Sequence, residues 1–286
     1  ISGWVQIAGA GAGQTVQLEI PGLHEKLSAR TDASGRAAFR FTPATLQLWS
    51  PETPKLYEVS ISSGDDVIKE PIGFRTVRTR GKEILLNGKP VFLRGICIHE
   101  EFPLNGGGRV NTPEKAKQLL LWARELGCNF VRLAHYPHNE AMTRLADELG
   151  LMVWSEVPMY WTIDWTNAAT YTNAQNQLTD EIQRDANRAS IIIWSLANET
   201  PVSEARTELL SRLAARARAL DATRLLSAAM EKHARPGAEN VNIVQDPLAD
   251  IVDVVAFNEY VGWYDGLPDK CGKVTWEIPY QKPVFV

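Results

Sequence analysis

The chain has 286 residues, of which 44% are hydrophobic and 22% are charged, and it is long enough to form one large domain or two unequal ones. A formal net charge of −4 is too small to indicate a nucleic-acid partner, and no apolar run is long enough to predict a membrane span. The three cysteines lie far apart and predict neither a metal site nor a disulfide framework.

The amino terminus carries no signal peptide, but the chain begins at Ile1 rather than at a methionine. We therefore expect a trimmed amino terminus. The sequence leaves the compartment open between the cytoplasm and a periplasmic or secreted location.

Residues 1–79 have the pattern of an all-β domain. Short alternating runs at 15–20, 37–41 and 56–61 are separated by clusters of turn-forming residues, with no helical period between them. This pattern predicts an immunoglobulin-like β-sandwich. Because the segment carries no cluster of catalytic residue types, we expect it to act as a spacer or brace.

From about residue 80 the pattern changes to alternating strands and helices. Asn87 and Gly88 predict a tight hairpin between two short apolar runs. Strands are then predicted at 96–98, 130–133, 151–154, 191–197, 225–229, 251–257 and 283–286, and helices at 113–126, 139–149, 173–188 and 203–220. This series predicts an α/β fold for residues 80–286, a (β/α)8 TIM barrel cut short at about the seventh strand.

The run 191–197 is typical of a strand buried on both faces, because it is apolar throughout and opens with three β-branched residues. Asn198 and Glu199 follow at its carboxyl end, where barrel enzymes carry their catalytic residues. The alternative interpretation is that Glu199 is a solvated residue between a strand and a loop.

Polar side chains also follow the other predicted strands, and in a barrel these strand ends meet on one face. They are His99, His135, Glu156, Asn258, Glu259 and Tyr260. Aromatic residues in the neighbouring loops are Tyr136, Trp161, Trp165, Trp263, Tyr264 and Trp276. Hydrogen-bonding groups next to aromatic faces suit a sugar, although a single histidine after a strand is more often a structural residue with a hydrogen bond.

Other site chemistries have less support in the sequence. His99, His135 and Glu156 are residue types that bind metals, but no close ligand spacing of the HExxH kind is present, so no metal or cofactor is predicted. The glycines at 106–108 lack the lysine and the spacing of a phosphate-binding loop and predict a flexible loop. A serine nucleophile elbow is also absent.

Several of these segments together resemble glycoside hydrolase family 2, which includes β-galactosidases and β-glucuronidases. The matching segments are WSLANET at 194–200, RGICIHEE at 94–101, VRLAHYP at 131–137, LGLMVWSE at 149–156, FNEYVGWY at 257–264, and LWSP at 48–51 with PKLY at 54–57. The resemblance covers nearly the whole chain. It implies an immunoglobulin-like domain followed by the catalytic barrel, without the sugar-binding jelly-roll domain that normally comes first.

The resemblance also implies roles for individual residues. Glu199 matches the general acid/base, and Asn198 matches the neighbour that contacts the sugar 2-hydroxyl. Tyr260 matches the tyrosine near the nucleophile. The implied substrate-binding residues are Asn198, His99, His135, Tyr260 and Trp263, and the implied supporting residues are Arg132, Glu156 and Asn258.

A retaining glycosidase needs two carboxyl groups about 5–5.5 Å apart, and the acid/base needs a raised pKa in the free enzyme. Residues 282–286 resemble the strand that leads to the nucleophile, and the sequence stops before it. Neither Glu259 nor Glu277 matches the nucleophile position. We therefore expect a fragment that is by itself inactive.

The sequence thus predicts part of a retaining exo-β-glycosidase that acts on terminal β-galactosides or β-glucuronides, with a carbohydrate as its partner. Two alternatives are a β-mannosidase or other barrel glycosidase, and a non-catalytic carbohydrate-binding fragment. No nucleic-acid or membrane partner is expected. The oligomeric state is left open, a homo-oligomer of the full-length parent included.

Overall fold

A computed structural model describes residues 1–104 and 107–286, so Gly106 of the predicted flexible loop lies outside the described residues. The chain forms two compact units, residues 1–75 and 76–286. The division between the two units lies four residues before the predicted boundary at residues 79 and 80, and the strand Val77–Arg80 pairs with Glu83–Leu86 of the second unit.

The first unit is built from antiparallel strands, which confirms its predicted all-β character. Its strands are β1 (Ser2–Gln6), β2 (Thr15–Ile20), β3 (Glu25–Arg30), β4 (Arg36–Arg40), β5 (Tyr57–Ser63) and β6 (Asp66–Ile72). β1 pairs with β4, and the other four form a sheet in the order β3-β2-β5-β6. Val16 and Ile20 of β2 are buried in the hydrophobic clusters of this unit. They lie an even number of residues apart, so both point to the same face of the sheet.

The second unit contains thirteen of the described strands and four α-helices. The strands are β7 (Val77–Arg80), β8 (Glu83–Leu86), β9 (Lys89–Val91), β10 (Gly95–Ile98), β11 (Phe130–Leu133), β12 (Met152–Glu156), β13 (Ile191–Asn198), β14 (Leu225–Met230), β15 (His233–Arg235), β16 (Ala238–Ile243), β17 (Val254–Phe257), β18 (Thr275–Glu277) and β19 (Val284–Phe285). The helices are α1 (Pro113–Glu125), α2 (Glu140–Leu149), α3 (Ala168–Asp185) and α4 (Glu204–Leu220).

Seven of these strands form one parallel sheet in chain order, β10-β11-β12-β13-β14-β17-β19. The sheet is curled, because the ring of Phe285 on β19 lies 5.0 Å from that of Phe130 and 5.6 Å from that of Trp154, near the other end of the strand order. Only a sheet that bends round on itself brings such distant strands into contact. A curled parallel sheet of this kind fits the predicted incomplete TIM barrel.

Local sequence signals account for several element ends. The Thr112 hydroxyl caps α1 by accepting from the Lys115 amide at 3.3 Å, and the Asn139 side chain caps α2. Asn87 and Gly88 both have positive φ, 53° and 78°, as a tight hairpin turn requires. α3 begins five residues before the predicted position because the side chain of Asn167 caps it.

The regular alternation ends after the fifth strand of the barrel. β14 and β17 are joined by the hairpin β15–β16 and a short 3-10 helix, Pro247–Asp250, rather than by an α-helix. The predicted strand 251–257 therefore starts only at Val254. No helix in the described ranges has both the length and the hydrophobicity required to cross a membrane.

Candidate active site

Glu199 leaves the carboxyl end of β13 in a backbone conformation that turns it away from the strand. The pairing of β13 with β14 shifts register between Ser195 and Asn198, and Glu199 has a φ of 49°, in the left-handed region. Backbone hydrogen bonds hold this geometry: the Glu199 amide donates to Ala229 O at 2.8 Å, and the Asn198 amide donates to Met159 O at 2.8 Å. Such a conformation is uncommon for a residue other than glycine and occurs preferentially at functional sites.

The carboxylate of Glu199 accepts hydrogen bonds from three side chains. Its Oε1 atom accepts from the Tyr260 hydroxyl at 2.6 Å and from Asn258 Nδ2 at 2.7 Å. Its Oε2 atom accepts from the indole Nε1 of Trp161 at 3.3 Å. The sequence placed Trp161 among the aromatic loop residues but did not predict it as a site residue. The available signal was its tryptophan- and threonine-rich loop after the third barrel strand.

These hydrogen bonds determine the charge of Glu199. Partial burial raises the pKa of its carboxyl group, but the donors Tyr260, Asn258 and Trp161 stabilise the ionised form, and the pKa lies below its usual value. The raised pKa that a general acid requires is therefore not found in this arrangement. In the same contact the pKa of Tyr260 is raised, first by burial and then by its bond to the Glu199 carboxylate.

Arg132 on β11 contacts side chains at the carboxyl ends of three other barrel strands, β12, β13 and β17. Its guanidinium lies 3.0 Å from Glu156 Oε2 on β12, and it donates to Asn198 Oδ1 at 2.7 Å and to Asn258 Oδ1 at 2.6 Å. The Arg132 and Glu156 side chains are 5% and 1% exposed. Asn258 Nδ2 in turn donates to Asn198 Oδ1 at 2.9 Å, so the predicted supporting residues form one network, in which only Asn258 is partly exposed.

Glu156 is held in its ionised form by this network. Burial raises the pKa of its carboxyl group, but the hydrogen bond from His135 and the positive charge of Arg132 outweigh that effect and leave the pKa lowered. His135 Nδ1 lies 2.6 Å from Glu156 Oε1, and Trp154 Nε1 donates to Oε2 at 2.9 Å. Glu156 is therefore a buried counter-charge rather than a group that reaches a bound ligand.

The remaining predicted site residues lie around this network. His99 is exposed, and its ring meets the edge of the His135 ring at 5.3 Å. Trp263 is 77% exposed and stacks on Tyr264 at 5.0 Å, and Tyr264 contacts Tyr260 edge-on at 5.5 Å. Trp263 thus belongs to the aromatic surface beside the site, without a hydrogen bond to the Glu199 network among the described contacts.

No group of three or more His, Cys, Asp or Glu side chains in the described ranges is arranged to hold a metal ion. His135 and Glu156, two of the residues considered as metal ligands, instead bond to each other and lie against the guanidinium of Arg132. A permanent positive charge at that position opposes the binding of a cation.

The chain belongs to glycosyl hydrolase family 2, whose TIM barrel domain matches residues 77–285 and whose preceding domain matches residues 5–75. It is 31% identical over 295 aligned residues to a β-glucuronidase of Paenibacillus borealis, covering 89% of this chain and 46% of that protein. It is 29% identical over 252 residues to the human β-glucuronidase, covering 83% of this chain and 37% of that protein. The chain thus spans less than half the length of these relatives.

Solved structures give the same assignment of fold. A β-galacturonidase of family 2 from Eisenbergiella tayi, bound to galacturonate, has a TM-score of 0.80 at 26% identity and covers 99% of this chain and 52% of its own. A β-glucuronidase from Bacteroides uniformis has a TM-score of 0.72 at 28% identity, with 93% of this chain and 34% of its own covered. These similarities confirm the predicted family.

The pKa of Glu199 provides a direct test of the hydrogen bonds around it. Tyr260→Phe removes the 2.6 Å hydrogen bond that stabilises the ionised form, so we expect the pKa of Glu199 to rise. The measurement is a pH titration of the ¹³C-labelled glutamate carboxyl resonances, with Glu199→Gln to assign the signal. Tyr264→Phe is the matched control, because this ring contacts Tyr260 without a hydrogen bond to Glu199. An unchanged pKa in Tyr260→Phe would contradict the geometry.

Proposed function

We propose that the chain is the barrel-bearing part of a retaining exo-β-glycosidase that hydrolyses terminal β-uronides, with β-glucuronides favoured over β-galactosides. The single observation that carries this proposal is the carboxylate of Glu199, which lies partly exposed at the end of the fourth barrel strand with three side-chain donors around it. The choice of sugar rests on similarity to the β-glucuronidases and the β-galacturonidase described above.

In this proposal Glu199 is the general acid/base. It protonates the glycosidic oxygen as the bond to the anomeric carbon breaks, and it then accepts a proton from the water that hydrolyses the glycosyl-enzyme. A second ionised carboxylate close by would repel the charge on Glu199 and raise its pKa, which opposes the lowering found among the described residues. The acid role of Glu199 therefore depends on that second group.

Two carboxylates at neighbouring strand ends are poorly suited to be the nucleophile. Glu156 is 1% exposed and paired with Arg132, so the anomeric carbon of a sugar has no access to it. Glu259 lies 3.0 Å from Lys232 Nζ and accepts from Asn242 Nδ2 at 3.2 Å. These contacts neutralise its negative charge, which makes the carboxylate a poor nucleophile. We therefore expect the 286 residues by themselves to have little or no glycosidase activity.

The other roles follow from position. Asn198, His99, His135 and Tyr260 would contact the sugar hydroxyls, and Trp263 would offer a ring face to the substrate. Arg132, Glu156 and Asn258 would hold Asn198 and Glu199 in place. Residues 1–75 would form an immunoglobulin-like sandwich that supports the barrel, a role that fits their antiparallel sheets.

The test uses the full-length protein that contains this chain. Its kcat/KM is measured on the 4-nitrophenyl β-D-glycosides of glucuronic acid, galacturonic acid, galactose and mannose, and ¹H NMR identifies the anomer released first. We expect the highest value on a uronide and initial release of the β-anomer. Release of the α-anomer would exclude retention, and a preference for the mannoside would exclude the proposed substrate class.

The expected inactivity of the isolated chain is tested separately with the same substrates. Turnover by the purified chain that disappears in Glu199→Gln would show that a second carboxylate within it completes the site. Glu148→Gln, an exposed glutamate on α2, is the matched control for any general effect of removing a negative charge.

A further inference from the structure

Trp161 is held against the segment that carries Glu199 by the backbone as well as by its side chain. Its amide donates to Asn198 O at 3.2 Å, and the Asn198 amide donates to Met159 O at 2.8 Å. Trp161 also has a φ of 58°, in the left-handed region that bulky residues rarely adopt. These backbone hydrogen bonds hold residues 159–161 against Asn198, and the bond from the indole Nε1 to Glu199 Oε2 at 3.3 Å positions the side chain. The position of the indole is therefore determined by contacts with the segment that carries Glu199.

The two oxygens of the Glu199 carboxylate have different surroundings. A carboxylate oxygen has two lone pairs, and both on Oε1 are occupied, by Tyr260 and Asn258. Among the described contacts, Oε2 accepts only the longer hydrogen bond from Trp161, at 3.3 Å. Oε2 is therefore the oxygen with room for a proton. A departing oxygen that takes that proton must lie within about 3.2 Å of Oε2, beside the indole of Trp161.

The indole also offers a surface to a second ring. Trp161 is 62% exposed, and Tyr160 meets it edge-on, with ring centres 5.4 Å apart and planes at 79°. A T-shaped contact covers at most one face of a ring, so at least one indole face remains available for stacking. A planar leaving group bonded near Oε2 would lie alongside one of these faces.

We infer that Trp161 forms the leaving-group subsite of this enzyme and that the subsite selects β-glycosides of planar aromatic alcohols over those of saturated alcohols. The inference rests on the proposed function, because it requires Glu199 to protonate the leaving group. Trp161 acts by stacking on the leaving group and by orienting Oε2, and it exchanges no proton with the substrate.

The test compares benzyl with cyclohexylmethyl β-D-glucuronide in the full-length protein. The two leaving groups have similar size and basicity and differ in aromaticity, so the ratio of their kcat/KM values isolates stacking. In Trp161→Leu we expect this ratio to fall by about two- to tenfold, mainly through KM for the benzyl substrate. Trp161→Phe keeps an aromatic face and is expected to keep most of the ratio.

Trp4→Leu is the matched control. Trp4 is also an exposed tryptophan, at 55%, and it lies in the first unit against the guanidinium of Arg36. We expect the same ratio in this variant as in the wild type. If Trp161→Leu lowers kcat/KM for both substrates equally, Trp161 only orients Glu199 and the inference is overturned. An unchanged ratio overturns it as well.

A binding measurement separates failure of this inference from failure of the proposed function. Absence of turnover of both substrates by the wild-type protein would contradict the proposed function. The non-hydrolysable benzyl and cyclohexylmethyl 1-thio-β-D-glucuronides are then titrated into the same protein by calorimetry. Tighter binding of the benzyl compound, lost in Trp161→Leu, supports the aromatic subsite, and equal binding or no binding of the two compounds overturns it.

Discussion

Glu199→Gln in the full-length protein is expected to lower kcat/KM for phenyl β-D-glucuronide by about 10²–10⁴-fold, the usual contribution of a positioned general acid. Glutamine keeps the size of the side chain, and its oxygen can still accept the hydrogen bond that Tyr260 makes to Oε1. The loss therefore reports the missing proton rather than a rearranged site. The measurement is steady-state turnover at several substrate concentrations.

Leaving-group dependence is the control for this prediction. The 2,4-dinitrophenolate ion departs without protonation, so we expect the first step on 2,4-dinitrophenyl β-D-glucuronide to be nearly unaffected in Glu199→Gln. Added azide, which attacks the glycosyl-enzyme without a general base, is expected to restore turnover of that substrate. An equal loss on both leaving groups would contradict the role of Glu199 as an acid.

Arg132→Met is expected to lower the free energy of unfolding of the barrel unit by about 3–5 kcal/mol, the usual cost of removing one partner of a buried ion pair. The change leaves the carboxylate of Glu156, 1% exposed, without its guanidinium partner, and it removes donors from Asn198 and Asn258. Urea denaturation of the chain, followed by tryptophan fluorescence, measures the effect.

A double variant and a surface variant test the cause of that loss. Replacing both Arg132 and Glu156 by methionine removes both charges, so we expect the double variant to be more stable than Arg132→Met alone. Arg218→Met breaks an ion pair whose arginine is 43% exposed and is expected to cost less than about 1 kcal/mol. If Arg132→Met and Arg218→Met lower the free energy of unfolding by similar amounts, burial of the Arg132 ion pair does not explain the loss in Arg132→Met.

The pH dependence of Arg132→Met has a definite sign. The native pKa of Glu156 is lowered, and removal of Arg132 leaves burial, which raises that pKa, more weakly opposed. A glutamate whose folded pKa lies above its unfolded value is destabilising at high pH, and the effect disappears as both states become protonated. We therefore expect the deficit of Arg132→Met relative to the wild type to shrink as the pH falls below neutrality.

Much of the barrel was predictable because its signals are local. Seven apolar runs predicted seven parallel strands, and Asn139 and Gly150 predicted both ends of α2. The segments after β14 and β17 were harder to predict, because neither carries a helical period. Their hairpin and 3-10 helices form against tertiary contacts such as the hydrogen bond from the Asp246 amide to the Tyr280 hydroxyl at 2.9 Å.

The sequence predicted which residues lie together at these strand ends but not the electrostatics of Glu199. Strand ends and motifs indicated Glu199, Tyr260 and Arg132, since position along a barrel strand can be read from the sequence. The direction of the pKa shift of Glu199 depends on its burial and on which donors reach its carboxylate, and both depend on side-chain geometry that the sequence does not show. Trp161 was missed as a site residue for a similar reason, because its contact with Glu199 depends on backbone hydrogen bonds between a loop and β13.

The buried Arg132 network has a consequence for synthesis of the chain on the ribosome. Arg132 lies 24 residues from Glu156, 66 from Asn198 and 126 from Asn258. At about 5–20 residues per second, Asn258 is made roughly 6–25 s after Arg132. The hydrogen bonds between Asn258 and its partners Arg132, Asn198 and Glu199 therefore cannot form until residue 258 has been synthesised. The Asn258 donor to Glu199 thus becomes available only after six of the seven strands of the parallel sheet have been synthesised.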